Sequence, residues 1–471
     1  MRLLHTSDWH LGKRLDLFSR IEEQRQVLEE IIQRADEYNV DTVLISGDLF
    51  DSFNPSIEAQ ELFYATLKRL SSNGARPVIA IAGNHDSADA IQAPAPLARL
   101  HGIVLLGYIT TSLPALTTDS GVTISFPAPG AVRVEFDKKD QRETGSGPSS
   151  ERASLPRLNV LASPYANQKR FQYALKQLGF GQQDGSSGET ESHPPTEADF
   201  LKSVSDLWTE TAKNVFEPKD INVCTAHLYA VNTVTTKKKE QLPLGLDETG
   251  EGYEHTPVSG FSGDDGLYSL PEPEDEKPIL YKGGLPPIPV EAFPKNAQYV
   301  ALGHLHRSQI VNEAPVPIAY CGSPLSYSRS ESEQQKYVYI VDIEPGEQAR
   351  ITTVPLETGL PILRPECKSV DEALQWLAEH QNAYVELTLA LDSYLSSEDR
   401  RRIYSVHERI LSIIPEVQGT EPSGDEKIAD ISQSIETLFS EYFASMHQGV
   451  EPSGELMDLF KEVLDATGDE S

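Results

Sequence analysis

Apolar runs and amphipathic stretches take turns along the first part of the chain. Residues 2–6, 42–46, 77–82 and 103–106 are compact apolar runs of strand length. Between them, Ile21, Leu28, Ile32 and Ala35, then Ile57, Phe63, Leu67 and Leu70, recur at helical spacing. Alternation of this kind predicts an α/β layer fold. Further strands are predicted at 158–162, 221–226, 298–302, 317–321 and 337–341.

Three stretches break the pattern: 137–153, 181–197 and 235–287 are rich in Gly, Ser, Pro, Glu and Asp. They hold too few apolar groups to offset the entropy of ordering, and read as surface insertions that carry much of the acidic charge. After about Pro345 the pattern changes. Val370, Ala373, Leu374 and Leu377 mark a helix, and Val385, Leu387, Leu389 and Leu391 alternate as a half-buried strand. Ile403, Val406, Ile410 and Leu411 mark a second helix, with Ser396 or Ser397 as its N-cap. This predicts a small second α/β unit. A hydrophilic joint at 421–426 leads to a tail in which Ile428, Ile431, Ile435, Leu438, Phe439, Tyr442, Phe443 and Met446 keep helical spacing. A break at 449–454 follows, and Leu456, Leu459, Phe460, Val463 and Leu464 mark another helix. Two readings stand for the tail: helices packed on the body, or a hairpin whose wide apolar stripe binds a partner.

Composition narrows the class. The 471 residues suffice for two or three domains with cores of their own. A net charge of -32 argues against a protein that coats nucleic acid through Lys and Arg, although a site that brings its own cations escapes part of that objection. Three scattered cysteines, Cys224, Cys321 and Cys367, make no disulfide framework and point to a reducing compartment. With no signal-peptide pattern and no apolar run of membrane-spanning length, the expectation is a cytoplasmic protein without a membrane partner.

The candidate chemistry lies just past the strands. Asp8-Trp9-His10, Gly47-Asp48-Leu49-Phe50-Asp51, Gly83-Asn84-His85-Asp86 and Gly303-His304-Leu305-His306 each follow an apolar run. All four offer carboxylate, imidazole or amide groups that bind divalent cations. Singly they are weak. Asp-x-His is common, and Asp48 also reads as a turn aspartate capping a helix. Together, strands of one sheet that end side by side would bring them to one point, a two-metal site for phosphate esters.

The order and content of these motifs resemble the calcineurin-like metallophosphoesterase superfamily, and within it the double-strand-break repair nucleases. The likeness runs over motifs, following unit and tail, but not the long insertions. It implies an α/β fold built as a four-layer metallophosphoesterase β-sandwich flanked by helices, with a small α/β cap domain and a C-terminal helical hairpin. Residues 1–345 would be the nuclease domain, 346–422 the cap that orients DNA, and 423–471 the tail. Residue by residue, Asp8, His10 and His306 would hold one metal, Asn84, His227 and His304 the other, and Asp48 would bridge them. His227 enters only through this likeness; by sequence alone it is one of twelve histidines. His5 is left structural. Mixed Asp, His and Asn donors suit two Mn2+ ions, or Fe2+ and other octahedral divalent ions, better than zinc. Such a pair, about 4 Å apart, activates water and polarises the phosphate. His85 would position the phosphate and protonate the leaving oxygen, with Asp86 orienting its imidazole. Asp51 stands where archaeal relatives carry histidine, and its role stays open.

The same likeness implies a manganese-dependent exonuclease on duplex ends and endonuclease on single-stranded or hairpin DNA, acting in recombination and repair. Its partners would be DNA and a coiled-coil ATPase, as a homodimer of the nuclease subunit within a heterotetramer. Ile431, Ile435, Leu438, Phe439, Tyr442, Phe443, Leu459, Phe460 and Val463 would meet the ATPase. Lys13, Arg14, Arg307 and Arg329 are the first candidates for DNA phosphates, with Lys169, Arg170 and Lys237-Lys238-Lys239 behind them; each also reads as a solvated surface charge. Gly322-Ser323-Pro324 reads either as a family loop beside the site or as a plain turn. Two rival functions are a nucleotide phosphodiesterase or phosphatase of the same superfamily, and a non-catalytic scaffold. The phosphatase form is weakened by Ser52 after Asp51, where those enzymes carry Arg-Gly.

Overall fold

The computed structural model describes residues 1–109, 113–136, 155–165, 197–232, 286–332, 334–391 and 395–417, with scattered positions between 439 and 460. The three Gly-, Ser- and acid-rich stretches lie almost entirely outside the described residues. So do Lys169, Arg170, Lys237, Lys238 and Lys239, and every tail residue named as a partner contact except Phe439 and Phe460. Those two rings stack with centroids 4.0 Å apart.

Two sheets form the body. In the first, β1 (Arg2–Thr6), β2 (Thr42–Ile45), β3 (Val78–Ile81) and β4 (Ile103–Leu106) run parallel. These are all-apolar runs, as strands covered on both faces must be. The second sheet is built on β5 (Leu116–Thr117), β6 (Val122–Ser125), β7 (Ala131–Phe136), β8 (Leu158–Ser163), β9 (Ile221–His227), β10 (Tyr299–Gly303), β11 (Gln309–Asn312) and β12 (Ile318–Tyr320). Its order is β11-β12-β10-β9-β8-β7-β6-β5, with β8, β9, β10 and β12 parallel. Two antiparallel strands, β13 (Tyr337–Asp342) and β14 (Arg350–Pro355), complete the first sheet beside β1. The body therefore runs past Pro345, where the sequence pattern put its end. Arg350–Pro355 is mostly exposed or half-buried, with Val354 alone buried, a pattern too weak to separate from a loop.

The core lies in three slabs. Leu3, Leu44, Ile79 and Ile81 of the first sheet meet Val160, Val223, Tyr299 and Ala301 of the second. The outer face of the first sheet packs on α1 (Ile21–Glu37) and α2 (Ile57–Leu70) through Val27, Leu28, Ile31, Phe63 and Leu67. The outer face of the second packs on α5 (Glu197–Val215) through Phe200, Val204, Leu207 and Trp208. Two short helices, α3 (Ala88–Gln92) and α4 (Ala95–Arg99), precede β4. The layering is helix, sheet, sheet, helix. Each large side chain so buried contributes roughly 1.5–3 kcal/mol. Ile57 departs from expectation: it opens α2 facing water, 75 % exposed.

A second α/β unit follows. It holds β15 (Ile362–Leu363), β16 (Glu366–Cys367), α6 (Val370–Glu379), β17 (Tyr384–Leu391), α7 (Ser397–Val406) and β18 (Ile410–Val417). Ser369 and Ser396 cap the two helices, each hydroxyl accepting a backbone N–H of the first turn. The sequence placed Ile410 and Leu411 in the helix; they begin β18, parallel to β17. Helix α7 stops at His407, whose backbone is extended. β17 lies at the centre of its sheet and buries Glu386 as well as Val385 and Leu387, so its alternation is weaker than a half-buried strand would show.

The joint between body and second unit is polar. Glu30 of α1 accepts from the N–H groups of Glu357 and Thr358, and Glu23 accepts from Leu360 N and Tyr384 Oη. Arg20 stacks over the Tyr384 ring, 4.8 Å from its centroid. Arg329 donates to Asp16 and to the buried Glu386, each at 2.7 Å. Arg329, a DNA candidate, ties the body to the second unit through its guanidinium, whose charge is matched by two carboxylates.

Candidate metal centre

The parallel strands of both sheets deliver their ends to one place. Thr6 pairs with Ile45, and Ile45 with Ala80, so β1, β2 and β3 finish level. His227 pairs with Gly303 at the ends of β9 and β10. The loops beyond stay together: Asp8 N donates to Gly47 O at 2.9 Å, His10 N to Asp48 O at 3.0 Å. Ser46 Oγ and Thr225 Oγ1, 2.9 Å apart, bind one sheet to the other beneath the site. Close approach demands glycine at two positions. A Cβ on Gly83 would strike the Asp48 carboxylate and backbone, and one on Gly303 would strike Ser46 O.

Seven ligand-type side chains converge there. Asp48 Oδ2 stands 3.4 Å from His10 Nε2 and 3.4 Å from His227 Nε2, within reach of both histidines. His10 Nε2 and His306 Nε2 face each other at 3.0 Å. Asp8, His10 and His306 form one tight group, Asp8, Asp48 and His227 another, and His10, Asp51 and His85 a third. Asn84 Oδ1 sits 2.9 Å from His227 Nε2 and 3.0 Å from His304 Nδ1. His227 Nδ1 donates to Ser46 O at 2.8 Å, which turns the Nε2 lone pair toward the cluster. Among the described residues, buried His10 Nδ1 has no hydrogen-bond partner. Lone pairs aimed at one another across 3 Å, with a carboxylate between, fit divalent cations. Four of these residues hold left-handed backbone: Asp8 at φ 53°, His10 at 43°, Asp48 at 47° and His304 at 110°.

A calcineurin-like phosphoesterase family model matches residues 1–128, the segment that carries Asp8, His10, Asp48, Asn84 and His85. Over 474 aligned residues the chain is 30% identical to SbcD, the D component of the nuclease SbcCD, from Bacillus subtilis (strain 168), covering 100% of this chain and 99% of that one. The chain belongs to the SbcD family. Members from Rhodobacter capsulatus and Escherichia coli K12 are 28% and 24% identical, over 77% and 93% of this chain and 71% and 89% of theirs.

In this SbcD-family chain, two residues of the third motif divide their work differently from the sequence reading. Asp86 was expected to orient the His85 ring. Its carboxylate instead accepts from Gly83 N at 2.7 Å, Phe50 N at 2.9 Å and Leu49 N at 3.0 Å, stapling the second and third motif loops together. His85 Nδ1 donates to the Asp51 carbonyl at 3.0 Å, and His85 N donates to Asp48 Oδ1 at 2.9 Å. The orienting group is thus a backbone oxygen of Asp51. Lys13, a DNA candidate, pairs with the Asp51 carboxylate at 2.9 Å. Arg14 is exposed and donates to Leu17 O, and Arg307 is partly exposed. His5 lies between the sheets against Tyr299 Oη, 2.8 Å away, in keeping with a structural part. The Gly322–Pro324 loop does border the site: Ser323 N donates to His306 O at 3.1 Å. Sequence reasoning passed over Gln24, which accepts from Gly12 N and donates to His10 O, and Glu331, which accepts from His306 Nδ1 at 3.2 Å. Neither belongs to a motif, and no local pattern marks them.

Burial and charge set the protonation of these side chains. Burial lowers His10 to about 4 and His304 to about 3, so both are neutral and free to donate lone pairs. Burial raises the Asp8 carboxyl to about 6, against the pull of His227 and His306. His227 is pushed down by burial, but Asp48 beside it outweighs this and holds the imidazole up at about 9. A cation held by His227 and Asp8 would have to displace the His227 proton at neutral pH, and the Asp8 proton as well below about 6. Mn2+ affinity should therefore rise about tenfold per pH unit from pH 6 toward 9, and more steeply below 6. Calorimetric titration in buffers of different ionisation heat would show the released proton; an affinity flat from pH 6 to 8 would contradict this account.

Proposed function

We propose that this chain is a manganese-dependent DNA nuclease subunit. It would degrade duplex ends as an exonuclease and cut single-stranded or hairpin DNA as an endonuclease, in recombination and repair. The observation that carries the reading is the convergence of Asp8, His10, Asp48, Asn84, His227, His304 and His306 on one point, with His85 beside them. Two ions held there would polarise the phosphodiester and activate water. The chain's own residues do the rest. Asp48 would be shared between the two ions. His85, its Nδ1 committed to Asp51 O, keeps Nε2 for the phosphate and for the proton that the leaving sugar oxygen needs. Gln24 and Asp86 hold the motif loops in place before substrate arrives.

The second α/β unit would act as the cap that sets DNA over the metals, kept in register by the Arg329 joint. Lys13, Arg14 and Arg307 lie at or beside ligand loops and would meet phosphates, giving little sequence preference and strong salt dependence. The tail would bind an SbcC-type coiled-coil ATPase, the complex that the relatives' name denotes. Within it, this chain would form a homodimer. Among the described residues no helix is long and apolar enough to cross a membrane.

The test is Mn2+-dependent cleavage of linear and hairpin DNA by the purified chain, with and without the ATPase, beside a small phosphodiester. Cleavage of DNA supports the reading. Hydrolysis of the small ester with DNA left intact would replace the nuclease by a nucleotide phosphodiesterase, and inertness toward both would leave a scaffold.

A further inference from the structure

One buried carboxylate beside the centre belongs to no motif. Glu331 closes a short turn, Arg329–Glu331, and is 0 % exposed. Its Oε1 accepts from His306 Nδ1 at 3.2 Å, from Tyr327 N at 3.1 Å and from Ser328 N at 3.0 Å. Its Oε2 accepts from Ser323 Oγ at 3.2 Å and pairs with Lys336. Lys336 Nζ reaches the same histidine from the other side, donating to His306 O at 3.2 Å. The pair thus grips His306 at ring and backbone.

Turn capping alone does not explain this arrangement. A capping carboxylate at a surface turn stays in water, whereas burying a carboxylate costs several kcal/mol unless partners repay it. The second function is legible in the geometry. A proton fixed on His306 Nδ1 leaves the Nε2 lone pair free, and that atom points at His10 Nε2, 3.0 Å away. An anionic partner behind an imidazole fixes its tautomer and makes it a stronger donor to a cation. We propose that Glu331 is a positioning residue that sets His306, in tautomer, angle and basicity, for the ion shared with Asp8 and His10. This rests on the two-ion reading of the site. The ion shared by Asn84, His227 and His304 has no such support from Glu331.

Calorimetric titration of the full chain with MnCl2 tests it, on wild type and Glu331→Gln. Gln keeps the size and an acceptor oxygen but removes the charge. The expected result is two ions in wild type and, in the variant, one ion weakened about 10–100-fold with the other unchanged. Should the single variant fold poorly, Glu331→Gln with Lys336→Met removes both buried charges together and keeps the site's hydrogen bond; the same selective weakening is expected. A variant that melts lower without metal yet binds both ions as wild type does would overturn the proposal and leave Glu331 a turn cap. A wild type that binds fewer than two ions would instead bring down the two-ion reading beneath it.

Discussion

His85→Ala should retain both metal ions and lose about 10²–10⁴-fold in turnover on DNA, the usual worth of a positioned general acid. The ring lies close to His10 and Asp51, but in the role proposed here it holds no metal: Nδ1 is committed to the Asp51 carbonyl, and what the side chain adds is a proton at Nε2. Its backbone N–H, which supports Asp48 Oδ1, survives the substitution. Metal content measured by elemental analysis should therefore stay at the wild-type value. The loss should also depend on the leaving group. A nitrophenyl ester departs without protonation, so the variant should keep most of its activity on bis(nitrophenyl) phosphate while failing on DNA. Equal losses on both substrates would mean that His85 acts on the phosphate alone, and a fall in metal content would make it a ligand.

Asp48→Asn should cost at least one ion. Asp48 stands 3.4 Å from one histidine of each proposed ion position and holds the His227 imidazole charged. Removing the charge from a buried cluster of this kind costs about 3–5 kcal/mol, which is roughly 10²–10⁴-fold in an equilibrium constant. With its raising partner gone, His227 should titrate far below its present value of about 9. Two readouts follow: a lost or greatly weakened Mn2+ ion by calorimetry, and a histidine resonance that shifts its titration downward by NMR. Wild-type stoichiometry and affinity in this variant would remove Asp48 from the bridging position.

Much of the site was legible because parallel strands announce their ends. An all-apolar run such as Val78–Ile81 that stops at Gly83-Asn84-His85-Asp86 leaves few explanations other than chemistry at a sheet edge. His227 carried no such mark. It is the last residue of its strand rather than part of a polar string, and only the family likeness pointed to it. The partners behind the ligands were not legible at all. The Asp51 carbonyl that orients His85 has no side-chain signature, and Asp86 was given the wrong neighbour because sequence adjacency favoured His85 over three distant N–H groups. Arg329 read as a free cation because Glu386 lies 57 residues away. Within the fold, Ile410 and Leu411 show the limit of periodicity: a short apolar run after a helix serves equally as its next turn or as a strand. Sheet membership decided it.

The left-handed backbone at Asp8, His10, Asp48 and His304 has a consequence for how this chain tolerates change. Non-glycine residues held in such conformations cost of order 1–3 kcal/mol each. Glycine at any of the four would relax the backbone, and for the two aspartates would also remove a buried carboxylate. The backbone cost at these positions is thus set against side-chain contacts: His304 N and His85 N donate to the Asp8 and Asp48 carboxylates, and Asp48 faces the His227 imidazole. Glycine at these four positions therefore offers little net gain in stability, and an active thermostable variant must gain its margin elsewhere.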